Sequence, residues 1–416
     1  MSFRFIKNKT FVFSVLSLFV FILGVYLPID YTGPKHIELT ADSAFGMSCM
    51  RAKELIVQEY DEHGNLWATR GMIIYRLDSN DTKFNRVAHI PTGINIFWLR
   101  NFSILRKLTV RPECVEMVTA GNGDICALSA GKLWHLAYGT KKFTQVYKLD
   151  HYGMGDQGVR NVGIQRINDS VLFFGEYFQN PDKTDVNILE SKDFGQTWNP
   201  IYKFEPGSIR HIHALQNDTY TGLNWICTGD ANKECTVGWS DDYYRTMSLI
   251  GSGDQMWRVC QLVFTEDYVY WGTDNGQKDV AGIYKWNRHT RETKKLGEID
   301  GAVFFGTMLS NGTIVFSTDR EGFNSEIDDK TRFHVLDSLD NIKIIEAGTW
   351  HHKKEGFRFK FAMLRFQRDQ SAPNLVITCL NQKELPDGEL LIIPEDEIIR
   401  ASNCTAGPAP LSLSSN

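Results

Sequence analysis

The feature that most constrains this chain is a long-period repeat in its strand-like runs. After residue 30, short stretches rich in Val, Ile, Phe, Tyr and Trp alternate with turn residues, and helical periodicity is nearly absent. Val162-Gly163-Ile164-Gln165-Arg166-Ile167 opens one unit and Ile209 to Leu215 the next; Trp257 to Leu262 and Ala302 to Phe305 open two more. Counted from Asn161, Ile209, Trp257 and Ala302, the steps are 48, 48 and 45 residues. A period in the forties with four strands per unit is the spacing of β-propeller blades. Leu55 to Pro91, Glu113 to Asp150 and Arg358 to Pro394 fit the same frame. The expected fold class is therefore all-β: a β-propeller of four-stranded blades, seven by this count with six as the alternative, over residues 36–397. His36 to Thr40 is predicted to complete the last blade and close the ring, which removes the exposed sheet edge.

Ahead of that domain, Phe11 to Leu27 is a run of 17 residues without a charge, preceded by Arg4, Lys7 and Lys9. Its length sits at the lower limit of about 17–25 residues for a spanning helix. It exceeds the roughly 7–15 apolar residues of a cleaved signal peptide. Residues 1–10 thus read as a cytoplasmic basic segment, 11–27 as a transmembrane signal anchor, and the rest as extracellular or lumenal. Cleavage of that segment would give a secreted form instead. Residues 401–416, rich in Ser, Pro and Ala, read as a flexible tail. Export makes the Asn-x-Ser/Thr triplets at Asn80, Asn101, Asn168, Asn217, Asn311 and Asn403 candidate glycosylation sites. It also permits disulfides, with Cys227 and Cys235 the first pair to test; Cys126, Cys260 and Cys379 read as buried strand residues. The eight cysteines lack zinc-type spacing. A net charge of −5 without basic blocks argues against a nucleic-acid partner.

Residues 191 to 198, Ser-Lys-Asp-Phe-Gly-Gln-Thr-Trp, set the register of the repeat. Ser191, Asp193, Gly195, Thr197 and Trp198 suit a structural turn between antiparallel strands. Asp193 can accept from the turn's own amides, Gly195 can take a positive φ, and Trp198 can bury beneath the turn. The octet resembles the Asp-box (BNR repeat) of the sialidase-like β-propeller superfamily, where it is an outer turn of the blade rather than a catalytic element. Ser240-Asp241-Asp242-Tyr243-Tyr244-Arg245-Thr246 is a degraded relative, and Ser79-Asn80-Asp81 a fainter one. The resemblance places the turn between third and fourth strands and implies carbohydrate substrates, often acidic. In hydrolases of that superfamily three arginines hold a carboxylate, a tyrosine–glutamate pair supplies the nucleophile, and an aspartate acts as acid/base. Arg160, Arg210, Arg258, Tyr177, Glu176 and Asp230 offer those residue types here.

The propeller frame also predicts which distant residues meet. The start of a blade's first strand and the end of its second emerge on one face. First-strand starts carry Arg160, Arg210, Arg258 and Arg358; second-strand ends carry Glu176-Tyr177, Asp230, Asp274 and Asp319-Arg320. Converging arginines suit bidentate recognition of a carboxylate or sulfate, so Arg160, Arg210, Arg258 and Asp274 are the candidate substrate-binding set. Glu176, Tyr177, His211, His213 and Asp230 are the candidate catalytic set. His211 and His213, two apart on one strand, can act as base or, with Gln255, hold a divalent metal, the one cofactor this pattern suggests. Three functions fit: a glycoside hydrolase with paired carboxylates, a polysaccharide lyase cleaving beside a uronate, and a non-catalytic propeller that binds glycan or protein. The expected partners are an acidic oligosaccharide or polysaccharide and, through the N-terminal helix, a membrane.

Overall fold

A computed structural model describes residues 33–91, 116–150, 162–275, 280–323, 326–352 and 361–404. Among them the chain forms seven antiparallel sheets, each with at least four strands, arranged as the blades of a β-propeller. Blade four shows the plan: His211–Asn217, Asn224–Gly229, Thr236–Ser240 and Ser248–Ser252 run outward in chain order. Burial falls along that order. The first two strands of blade four are almost wholly buried, whereas Ser248–Ser252 is largely exposed. An inner strand packed on both faces must be apolar at successive positions, which explains the runs that carry the repeat.

Polar side chains on the inner strands tie one blade to the next. Gln58 accepts from the Met117 amide at 3.1 Å, and Glu116 accepts from Gly163 and Ile164 at 2.7 and 2.9 Å. Gln216 both accepts from and donates to the Leu262 backbone, and Gln261 accepts from Gly306 at 3.3 Å. Each bond satisfies an inner-strand backbone group that has no neighbouring strand on that side. From blade seven, Arg368 reaches the carbonyls of Met117 and Ile164 in blades two and three, passing 3.6 Å from Glu59 and 3.7 Å from Glu116.

Ring closure differs from the sequence expectation. His36–Glu38 pairs with Lys83–Asn85 on the outer edge of blade one. Met47–Ala52 supplies the fourth strand of blade seven, pairing through Met50–Ala52 with Leu390–Ile392, and Thr40–Ala44 adds a fifth. The fourth-strand slot needs inward apolar residues; Met47, Cys49 and Ala52 provide them, while His36–Glu38 buries only Ile37. First strands in blades five and six also begin later than expected, at Leu262 and Gly306. In blade five the apolar lead is taken by a short 3-10 turn, Gln255–Trp257, capped by the Asp254 side chain. The helix Glu395–Cys404 carries order four residues into the segment read as tail, docked by Glu397 on the Ser48 amide.

The octet turn lies between the third and fourth strands of blade three, Val186–Ser191 and Asn199–Phe204. Asp193 accepts from Thr197 N and Oγ1 at 2.9 and 2.6 Å, and Trp198 donates its indole N–H to the Gly195 carbonyl at 3.0 Å. Gly195 sits at φ +88°, and a Cβ there would come within 1.8 Å of Cys126 Sγ in blade two. Ser240, Asp242, Tyr244 and Thr246 repeat this hydrogen bonding in blade four. There Tyr244 replaces the glycine at φ +62°, and its ring packs edge-on against Phe173 of blade three.

Cys227 and Cys235 are both buried free thiols. Cys227 is paired in register with Val237, and Cys235 lies against the Ala231 carbonyl, so the proposed bridge is not formed. Asn80, Asn168, Asn311 and Asn403 are exposed, Asn217 is half-buried, and Asn101 and the segment 11–27 lie outside the described residues. Among the described residues no helix is long and apolar enough to cross a membrane.

Candidate functional site

Blade four supplies the centre of the candidate site. Its first strand begins at His211, and the ladder with Asn224–Gly229 slips between Ile212 and Ala214, leaving His213 as the extra residue of a β-bulge. A bulge re-aims the side chain it carries. His211 Nε2 and His213 Nε2 consequently face each other at 3.1 Å. Gly229 lies opposite; a Cβ there would stand 3.3 Å from the His213 ring.

Asp230, just beyond the end of the second strand, completes the cluster. Its Oδ1 lies 3.5 Å from His211 Nε2 and 3.3 Å from His213 Nε2. Its Oδ2 accepts from Arg210 at 2.6 Å, and Arg258 of blade five stands 3.3 Å from Oδ1. Arg258 also donates to Asp274 at 3.1 Å. Burial alone would raise the Asp230 carboxyl, but contacts with His211 and His213 outweigh it and hold the group well below the usual carboxylate range. Burial, aided by the neighbouring His213, lowers His211 despite the opposing pull of Asp230, so it is neutral near pH 7. Arg258 is held more firmly protonated by Asp274 and Asp230, against the cost of its burial. Tyr177 stacks on His211, ring centroids 4.1 Å apart.

The frame therefore brings Tyr177, Arg210, His211, His213, Asp230, Arg258 and Asp274 together. Glu176 and Tyr177 diverge, as neighbours on an extended segment must; the Glu176 carboxylate accepts from the Asn187 amide and side chain at 2.8 and 2.9 Å. Gln255 donates to the Asp230 carbonyl and to Asn232, bracing the loop behind the aspartate. Asp319 is fully buried and accepts from Leu364 of blade seven, while Arg320 pairs with Asp300 in the segment that leads into blade six, so both serve the scaffold. Arg160 and Arg358 lie outside the described residues.

Sequence reasoning missed Glu321, one residue past Asp319-Arg320. The Glu326 carboxylate accepts from the amides of Glu321, Gly322 and Phe323, which fixes this turn. Glu321 Oε1 is buried without a hydrogen-bond partner, and so is Asp274 Oδ1. Burial and then the Asp274 charge push the Glu321 carboxyl up to about 8, against the pull of Arg258. The signal lay in the second-strand-end rule itself, followed one residue further.

No family model and no curated protein matches the chain. Solved structures do resemble it. An oligogalacturonate lyase in complex with manganese aligns with a TM-score of 0.53 at 13% identity, covering 88% of this chain and 99% of that one. YCF48 bound to D1 peptide aligns at 0.47 and 11% identity, covering 91% and 99%. A chain of the mitotic checkpoint complex aligns at 0.48 and 10%, covering 88% and 96%. At 13% identity the likeness to the lyase speaks for the fold alone.

Proposed function

We propose that this chain is a membrane-anchored, extracytoplasmic propeller that binds and cleaves acidic carbohydrate at the mouth beside blades four and five. Kinship with sialidase-like propellers is part of that reading, supported by the two box turns with matching hydrogen bonds. The observation that carries it is the convergence of Arg210 and Arg258 on Asp230, in a cluster that also holds two imidazoles, a phenol and the neighbouring Glu321 carboxyl. Guanidiniums at that position suit a sugar carboxylate.

Among cleavage chemistries, elimination beside a uronate is favoured over hydrolysis. Hydrolysis needs a carboxyl pair with one member protonated. Glu321 offers a protonated member, but the ionised partner is not available: Asp230 is engaged through both oxygens by Arg210, Arg258 and the two imidazoles, and Glu176 by Asn187. Elimination needs the carboxylate neutralised, a base for the proton on the adjacent carbon, and an acid for the departing oxygen. Arg210 and Arg258 supply the first. Tyr177 or a neutral imidazole takes the proton; the C–H electrons form the new double bond as the C–O bond breaks. Glu321, protonated near pH 7, gives its proton to the leaving oxygen.

Incubation with polyuronate and with sialylated glycans tests this. Ultraviolet absorbance from an unsaturated product supports elimination. Free sugar without that absorbance would reassign the chain to hydrolysis. Saturable binding without turnover would make it a non-catalytic glycan-binding propeller.

A further inference from the structure

His211 donates Nδ1–H to the Phe178 carbonyl at 3.1 Å, and His213 donates Nδ1–H to the Val259 carbonyl at 3.1 Å. Those bonds fix both tautomers, leaving a lone pair on each Nε2. The two Nε2 atoms and Asp230 Oδ1 then form a triangle with edges of 3.1, 3.3 and 3.5 Å. All three corners are acceptors, and both rings are buried. Arg258 meets the Oδ1 corner from one side at 3.3 Å, and a positive centre shared by all three corners would satisfy the two imidazole lone pairs as well. A single proton can bridge only one edge.

We propose that His211 Nε2, His213 Nε2 and Asp230 Oδ1 form one face of a site for a divalent first-row transition-metal ion. Metal–ligand bonds of about 2.0–2.2 Å give ligand–ligand edges of roughly 3.0 Å in octahedral and 3.4 Å in tetrahedral geometry, close to the observed triangle. Two imidazoles and one carboxylate on a single face leave the remaining positions for solvent or substrate. The surrounding shell matches: backbone carbonyls orient both imidazoles, and Arg210 orients the carboxylate through Oδ2, so that Oδ1, with Arg258 3.3 Å to one side, turns to the imidazoles. A second group, His213 with Cys260 and Asp274, shares one imidazole. It would need the His213 Nδ1 already donated to Val259, and burial pushes the Cys260 thiol well up, so it is the weaker ligand set.

The ion deepens the carbohydrate reading and rests on it only for its purpose. Asp230 and Asp274 pair with Arg210 and Arg258 and offset part of the charge those guanidiniums present to an acid. A divalent ion supplies that charge. It also occupies both imidazole lone pairs, which leaves Tyr177 as the base.

Purified full-length chain, stripped with chelator and dialysed, should take up one equivalent of Mn2+, Co2+ or Zn2+ by elemental analysis and calorimetry. Bound Co2+ should show a visible ligand-field band. His211→Ala and Asp230→Asn should each weaken binding more than about 100-fold, beyond the roughly 10–100-fold expected of the orienting Arg210→Lys. Cys260→Ser should bind normally. Metal-free melting temperatures of all variants report whether they fold. Failure of all three ions to bind the folded chain, or unchanged binding in folded His211→Ala, overturns the proposal. Tight metal binding with no polyuronate binding, with or without the ion, would instead sink the carbohydrate reading and leave the metal site standing.

Discussion

Glu321→Gln is the most direct test of the electrostatics at the mouth, because it removes ionisation while keeping the size of the side chain. In the folded chain this carboxyl is pushed from 4.5 up to about 8 by burial and by Asp274. Between those values the native state keeps a proton that the unfolded chain has released. Stability therefore falls as pH rises from about 4.5 to about 8, the opposite of a salt-bridged carboxylate. At about 1.4 kcal/mol per pH unit the ceiling is about 5 kcal/mol. Partial access to water reduces it, and about 2 kcal/mol is a reasonable expectation. The charged groups acting on Glu321 are Asp274, Arg258, Glu326 and Asp230, and the comparison is made on metal-free protein, because a cation on Asp230 would add its own pull toward the ionised form. Urea unfolding of the parent and Glu321→Gln at intervals from pH 5 to pH 9 gives the difference curve. The variant should gain on the parent by about 2 kcal/mol across that range, with the m-value unchanged. A flat difference curve would show that Glu321 ionises normally, and its role as proton donor would fall with it.

Further perturbations separate scaffold from site. Arg368→Met leaves the buried Glu59 and Glu116 facing an apolar stem, and should cost about 3–5 kcal/mol in denaturant unfolding, as removal of one partner from a buried ionic cluster does. Trp198→Ala empties the space beneath the octet turn and should cost about 3–5 kcal/mol, with Co2+ binding intact at temperatures where the variant is folded. Tyr177→Phe should lower polyuronate turnover by roughly 10²-fold or more while leaving metal affinity unchanged; equal loss of both would show that the ring merely supports His211.

The fold was legible because an inner propeller strand is buried on both faces and must be apolar at consecutive positions, so each blade prints its first two strands in the sequence. The outer strands print weakly. Ser248–Ser252 and Thr144–Lys148 are mostly exposed and carry few apolar residues. Closure was misread for the same reason: Met47–Ala52 lies far from blade seven in sequence, and only the vacant fourth position of that blade identifies its partner. The boundary errors at Leu262 and Gly306 have another cause. Trp257 and Val259, then Ala302 to Phe305, are buried without being strand, because they lead the chain across the mouth into the sheet.

For the site, the strand-end rule supplied neighbourhoods and could not supply directions. It grouped Glu176 with Asp230, yet an extended backbone sends Glu176 and Tyr177 to opposite sides, and the aromatic is the one that meets His211. It paired His211 with His213 by strand alternation, whereas a bulge delivers His213 to its position. The proposed metal contact assigned to Gln255 passes to Asp230 on geometric grounds: the amide is occupied by the backbone behind the aspartate, while the carboxylate completes the triangle of acceptors. Two separate segments thus brace the aspartate, Gln255 fixing the Asp230 backbone and Arg210 fixing its Oδ2, so that Oδ1 meets both imidazoles. The two imidazole nitrogens and Oδ1 lie within 3.5 Å of one another, and a cation bound among them would account for that approach.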